Sequence, residues 1–119
     1  MTDLNPTSDL VSSARQEGAT IIVVVRGEID LHNSSGLRTD LLDMLAKGSP
    51  KKLILNLADV PYMDSSAIAV LVESLQKIRK IGGKIFLTHL QPRGKGLLEI
   101  ARLDTIFGVA KDEAEAMGK

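Results

Sequence analysis

Apolar residues fall along this chain in short blocks of two kinds, and the spacing inside each block predicts its shape. Residues 20–26 carry Ile-Ile-Val-Val-Val, a β-branched run that predicts a strand. Residues 52–57 and 84–88 predict two more of the same length class. Between the first two, Leu37, Leu41, Met44 and Leu45 recur at i, i+4, i+7 and i+8, which predicts a helix over residues 34–47. Asn33 to Ser35 offer its cap, and Gly48 with Pro50 ends it. Ile68, Leu71, Leu75 and Ile78 form one stripe of a second helix, stopped by Gly82-Gly83. The remaining signals are weaker. Residues 10–16 predict an edge strand, turned at Glu17-Gly18 into the next one. Pro92 and Gly94 open a short helix around residues 97–103, residues 106–109 read as a last strand, and residues 112–117 as a final helical turn or two. Residues 1 to about 9 are polar, contain Pro6 and read as a loose lead-in.

Strands alternating with helices of this length imply a single α/β domain over residues 1–119, with a mostly parallel sheet of four or five strands and right-handed crossovers. The strand faces refine this. Leu53, Leu55 and Leu57 share one face while Ile54 and Asn56 take the other. A sheet buried equally on both sides would be apolar at every position, so the helices are expected mainly on one face.

Composition narrows the function classes. Lys plus Arg and Asp plus Glu number 15 each, a net charge of zero that argues against nucleic acid as the main partner. The only aromatic residues are Tyr62, Phe86 and Phe107, so the core must be aliphatic. With no cysteine, disulfides and thiolate chemistry are excluded, and two histidines without ligand spacing make a poor metal site. The first residues lack a secretory signal pattern and the longest apolar run, residues 19–25, is too short to cross a bilayer. A cytoplasmic protein without membrane insertion, monomeric when free, is the expectation.

The stretch most able to carry function is Tyr62-Met63-Asp64-Ser65-Ser66-Ala67, where a strand and short loop deliver two hydroxyls and a carboxylate to a helix start. Unpaired N–H groups and partial positive charge gather oxygen-rich side chains there. An added phosphate would be tolerated at such a place. On pattern alone, Asp64-Ser65-Ser66 is first an N-cap. Asp30 leaves a strand end at Gly27-Glu28-Ile29-Asp30 and either caps the helix near Ser34 or faces this site. A hydrolase built on Ser65 would need His32 or His89, and no Gly-x-Ser-x-Gly elbow is present. Gly94-Lys95-Gly96 lacks the Walker pattern and reads as a flexible helix entry.

In this order and spacing, Gly27-Glu28-Ile29-Asp30, Leu53-Ile54-Leu55-Asn56-Leu57, Met63-Asp64-Ser65-Ser66 and Ile81-Gly82-Gly83 resemble the STAS domain, over about residues 10–116. The chain is most similar to the stand-alone bacterial anti-sigma-factor antagonists. The resemblance implies a non-enzymatic protein without a cofactor of its own. Unphosphorylated, it would bind an anti-sigma factor that is also a serine kinase and so free a sigma factor. The kinase would use ATP to phosphorylate the serine after the motif aspartate, here Ser65, and a metal-dependent serine phosphatase would reset it. By position, Asp30, Glu28, Asp64, Ser66, Ala67, Met63 and His32 would line the partner site, with Tyr62 or Met63 as an anchor. The chain departs from the family where Ala67 and Ala69 replace glycines, which implies a firmer helix start and a shallower partner groove. That departure feeds an alternative: a constitutive STAS adaptor in a lipid-transport or other signalling assembly, with Ser65 unmodified.

Overall fold

The computed structural model describes residues 4–119, so the first three residues of the lead-in lie outside the described part. The elements in chain order are β1 (Val11–Glu17), β2 (Thr20–Arg26), α1 (Ser34–Gly48), β3 (Lys52–Asp59), α2 (Ser65–Lys80), β4 (Lys84–Thr88), α3 (Pro92–Ile100), β5 (Gly108–Ala110) and α4 (Glu113–Gly118). The strands make one sheet in sequence order, β1-β2-β3-β4-β5. β1 runs antiparallel to β2 through the two-residue turn Gly18-Ala19, and every later pairing is parallel. As a result β2, β3 and β4 all end at the same edge of the sheet.

Side-chain alternation sorts the sheet into two unequal faces. Ile21, Val23, Val25, Leu53, Leu55, Leu57, Ile85 and Leu87 point to the side covered by α1, α2 and α3, and belong to the large core with Leu41, Met44, Leu71, Leu75, Ile78 and Leu98. Ile22, Ile54 and Phe86 point to the other side, where a smaller cluster includes Ala110 and Ala116 of α4. The helices therefore lie mainly on one face, and the short α4 protects the middle of the other. At the outer edge, β1 turns Ser13, Arg15 and Glu17 to solvent.

The docking of α4 is polar at both ends. Lys52 Nζ donates to the carbonyls of Ala116 (2.9 Å) and Met117 (3.0 Å) and sits over the Phe86 ring, 5.3 Å from its centre. Glu113 accepts from Asn56 Nδ2 (2.8 Å) and pairs with Arg15 Nη2 (3.0 Å). The Asn56 hydrogen bond, then Arg15, hold the Glu113 carboxyl below its usual range against an opposing desolvation cost. A carboxyl that binds its proton less readily when folded stabilises the fold fully above its unfolded pKa, about 4.3. That stabilisation fades as the pH falls through the lowered folded value. The protection of the Ala116 amide, after correction for the intrinsic pH dependence of exchange, should accordingly fall below about pH 4, and Glu113→Gln should lessen that fall.

Two sequence expectations shift. Residues 4–9 have no regular secondary structure but are not loose. The buried Asp40 carboxylate of α1 accepts from Thr7 N–H (2.9 Å), Thr7 Oγ1 (3.1 Å) and Ser8 N–H (2.8 Å), and Leu4 is buried in the core. α3 begins at Pro92 itself, a proline at the first helical position, and ends at Ile100 rather than 103. Arg102, in the left-handed region at φ +60°, closes it, with Leu103 N–H bonding Leu98 O (2.9 Å) and Arg102 N–H bonding Glu99 O (3.0 Å). Gly94 lies inside this helix, buried against Met63 and Leu90, so Gly94-Lys95-Gly96 is no loop.

Candidate functional site

The loops that leave β2 and β3 are stitched together beyond the sheet edge. Gly27, at φ +83°, turns the chain out of β2, and its N–H donates to Asp59 O (2.9 Å). Ile29 and Met63 then form an isolated parallel bridge, with Ile29 N–H to Tyr62 O at 3.0 Å and Asp64 N–H to Ile29 O at 3.1 Å. Both side chains point inward, each 2% exposed. The apolar pair Ile29 and Met63 is thus what holds the Gly27–Asp30 segment beside the start of α2.

Asp64 is the N-cap of α2, in extended conformation, and its Oδ1 accepts from the Ser66 N–H at 2.9 Å and from the Ser66 hydroxyl. The Ser66 hydroxyl foremost, then the backbone N–H groups of Ser66, Leu31 and Ala67, lower the Asp64 pKa below the usual carboxylate range. Ser66 is therefore committed to the cap. Ser65, the first residue of α2, is exposed, and among the described residues no side chain or backbone group hydrogen-bonds its hydroxyl. Sequence pattern alone gave all three residues to capping. The structure divides them, with Asp64 and Ser66 holding the helix end and Ser65 presented to solvent.

Asp30 spends its carboxylate on its own loop, accepting from the N–H groups of His32 (2.9 Å) and Asn33 (3.2 Å). Asn33 answers by accepting from Asp30 N–H (2.9 Å) and donating to Glu28 O (2.8 Å). The loop entering α1 is thereby closed on itself. Glu28 and His32 are exposed, and neither histidine is hydrogen-bonded to Ser65; His89 Nδ1 pairs with Thr88 Oγ1 at 3.1 Å.

Met63 and Ala67 must be withdrawn from the expected contact surface. Met63 is turned under the loop by its bridge to Ile29, and Ala67, 1% exposed, lies on the inward stripe of α2 with Val70 and Leu71. Tyr62 is the half-buried one of the pair, with the Arg93 guanidinium stacked 4.3 Å from its ring centre. The groove argument changes with this: Ala67 faces the core and Ala69 alone of the two faces solvent. Beneath Ala67 is a void of about 10 Å3, lined wholly by apolar groups including Ile29, Leu41, Leu55, Met63 and Leu71. Such a space stays dry. Ala67→Gly should therefore destabilise the fold by about 1–2 kcal/mol, from lost helix propensity and a larger void, as read by urea unfolding.

Leu31 was not singled out from the sequence. It is 76% exposed at the tip of the Asp30–Asn33 turn, beside Asp64. A leucine set among Asp30, His32 and Asn33 breaks the polar pattern of a loop, and that is the signal that could have found it.

Compared with known proteins, residues 12–116 match the STAS domain. The chain belongs to the STAS family. Over 100 residues this STAS chain is 33% identical to the anti-sigma-B factor antagonist of Bacillus subtilis (strain 168), covering 83% of this chain and 90% of that one. An anti-sigma factor antagonist from Mycobacterium paratuberculosis has the same fold, with a TM-score of 0.80, 22% identity and 89% of each chain covered. The anti-sigma factor antagonist SpoIIAA matches in its unphosphorylated form (TM-score 0.71, 18% identity, 89% of this chain and 94% of that). The phosphorylated form of SpoIIAA, from Bacillus, matches equally well (TM-score 0.71, 20% identity, 89% and 96%). At these identities the structures speak for the fold, and the relation to anti-sigma-factor antagonists rests on the sequence match. No helix among the described residues is long and apolar enough to cross a membrane.

Proposed function

We propose that this STAS chain is a phosphorylation-controlled antagonist of an anti-sigma factor. Unmodified, it binds an anti-sigma factor that is also a serine kinase and so releases a sigma factor. Transfer of the γ-phosphoryl group of ATP to Ser65 Oγ, by the partner and not by this domain, ends the complex, and a serine phosphatase restores it. The observation that carries the reading is the exposed, unbonded Ser65 hydroxyl between two residues already locked as a cap.

Electrostatics supports a switch at this place. A phosphoserine brings roughly −1.5 to −2 charges. At an exposed helix start the dipole repays only about 0.3–1 kcal/mol, so the fold is little changed. Covered by a partner without a matched cation, the same group costs several kcal/mol. Neighbouring acids sharpen the effect, because Asp64 is held ionised and Glu28 is exposed nearby in the Ile29 loop.

The contact face of this reading comprises Ser65, the exposed parts of Asp64 and Ser66, Glu28, Asp30 and His32 on the adjoining loop, and Leu31 as its apolar anchor. Intact-mass measurement after mixing with the cognate kinase and ATP tests it. One phosphoryl group is expected on the wild type and none on Ser65→Ala. An unmodified wild type, or a phosphoryl gain that survives the substitution, refutes the assignment and favours the constitutive adaptor.

A further inference from the structure

The segment that delivers Asp64 and Ser65 is held from two directions. β3, which it leaves, lies between β2 and β4, so the loop after β2 reaches it from one side and the helix after β4 from the other. The first hold is the bridge from Ile29 to Met63. The second is the start of α3. Gln91 Nε2 donates to Ala58 O (2.6 Å), Gly94 lies against Met63, and the Arg93 guanidinium stacks on Tyr62. Glycine at 94 permits this approach, because a Cβ built there would stand 3.1 Å from both Leu90 Cδ1 and Met63 Cε, inside ordinary carbon–carbon contact. The Gly94-Lys95-Gly96 stretch thus finds a use: its first glycine lets α3 settle close enough for the preceding arginine to reach Tyr62.

Arg93 is exposed, and its charge is unspent. Among the described residues no carboxylate pairs with it, not even Asp59 or Asp64, which flank Tyr62 along the chain; the acids that are paired serve Arg15, Arg38, Lys47 and Lys119. The ring beneath it restrains a side chain that is otherwise costly to immobilise, so the planar fork is presented in advance of any encounter. Such a fork matches a carboxylate through two parallel N–H donors. Arginine and tyrosine are also residue types on which binding energy concentrates at protein interfaces. Glu28 and Asp30 carry negative charge on the loop after β2, and α3 supplies the opposite sign on the other side of the segment. Lys95, two residues further on, is exposed as well but sits over no ring.

We infer that Arg93, fixed over the Tyr62 ring, is a specificity-determining residue of the partner interface: it receives an aspartate or glutamate side chain of the anti-sigma kinase and extends the contact face from Ser65 onto α3. The inference rests on the reading of Ser65 as the centre of that interface.

Calorimetric titration of the full chain and its single variants with the cognate anti-sigma kinase, at low and at physiological salt, tests this. Arg93→Gln is expected to weaken the complex about tenfold, with a shallower salt dependence and an unchanged melting temperature. Arg93→Lys, which keeps the charge and loses the fork, should recover only part of that loss. Lys95→Gln removes a cation of the same helix that no ring holds, and should bind within about twofold of wild type. Arg93→Gln binding like wild type, an equal loss in Lys95→Gln, or an affinity loss matched by a loss of stability would each overturn the inference. The wild type separates these outcomes from failure of the Ser65 reading. A wild-type chain that is neither bound nor phosphorylated at Ser65 removes both, whereas a bound and phosphorylated wild type beside an indifferent Arg93→Gln removes this inference alone.

Discussion

Ser65→Asp is expected to weaken the complex with the cognate anti-sigma kinase by about 100-fold while leaving the melting temperature nearly unchanged. The two halves of this expectation have separate causes. In the free protein an aspartate at the first position of α2 meets the positive end of the helix, a contribution of about 0.3–1 kcal/mol, partly offset by repulsion from the neighbouring Asp64. In the complex the same carboxylate loses water without gaining a cation. A penalty of about 3 kcal/mol corresponds to roughly 100-fold in affinity. True phosphoserine, with nearly twice the charge, should do more, and Ser65→Ala should bind like the unmodified protein. Calorimetric titration and thermal unfolding of the same samples read both halves. Unaltered affinity would remove Ser65 from the interface. A stability loss as large as the affinity loss would make Ser65 part of the fold's own machinery.

Leu55→Ala should have the largest effect on stability, about 3–5 kcal/mol by urea unfolding. Leu55 is 1% exposed on the central strand, against α1 and α2, and it already borders the small apolar void under Ala67. Truncation would enlarge a space that a rigid sheet on one side and two helices on the other cannot easily collapse into, the case in which large-to-small substitutions cost most. Against a typical total of 5–15 kcal/mol, that is a severe loss. Ile54→Ala, one residue along but on the α4 side, should cost less, because only a short helix has to settle inward. Equal costs would mean that the two faces are not the unequal layers described above.

Much of the architecture was legible because it rests on local periodicity. The β-branched run of β2, the heptad-like stripe of α2 and the Gly82-Gly83 stop all act within a few residues of themselves. The mixed faces of β3 pointed to helices mainly on one face, which is the arrangement found. What escaped depends on distant partners. The grip of Asp40 on Thr7 and Ser8 spans more than 30 residues of sequence. The burial of Gly94 against Met63, which draws α3 back to Pro92, is a tertiary contact that overrides two poor helix formers. The same holds at the site. Ser65 was readable from its motif, whereas the inward turn of Met63 follows from its bridge to Ile29 and could not be seen in either residue alone. Leu31 is the opposite case, since its local signal, one leucine in an otherwise polar loop, is present but does not by itself say that the side chain is left exposed.

The polar outer strand β1 and the three-residue β5 also decide how this protein behaves in a crowded solution. A free sheet border is a template onto which another chain can zip, and such borders seed aggregates. Here one border alternates serine and charged side chains and the other is too brief to template a ladder, with Lys84 guarding the uncovered remainder. The two blunted borders thus keep one copy of this chain from pairing edge to edge with the next.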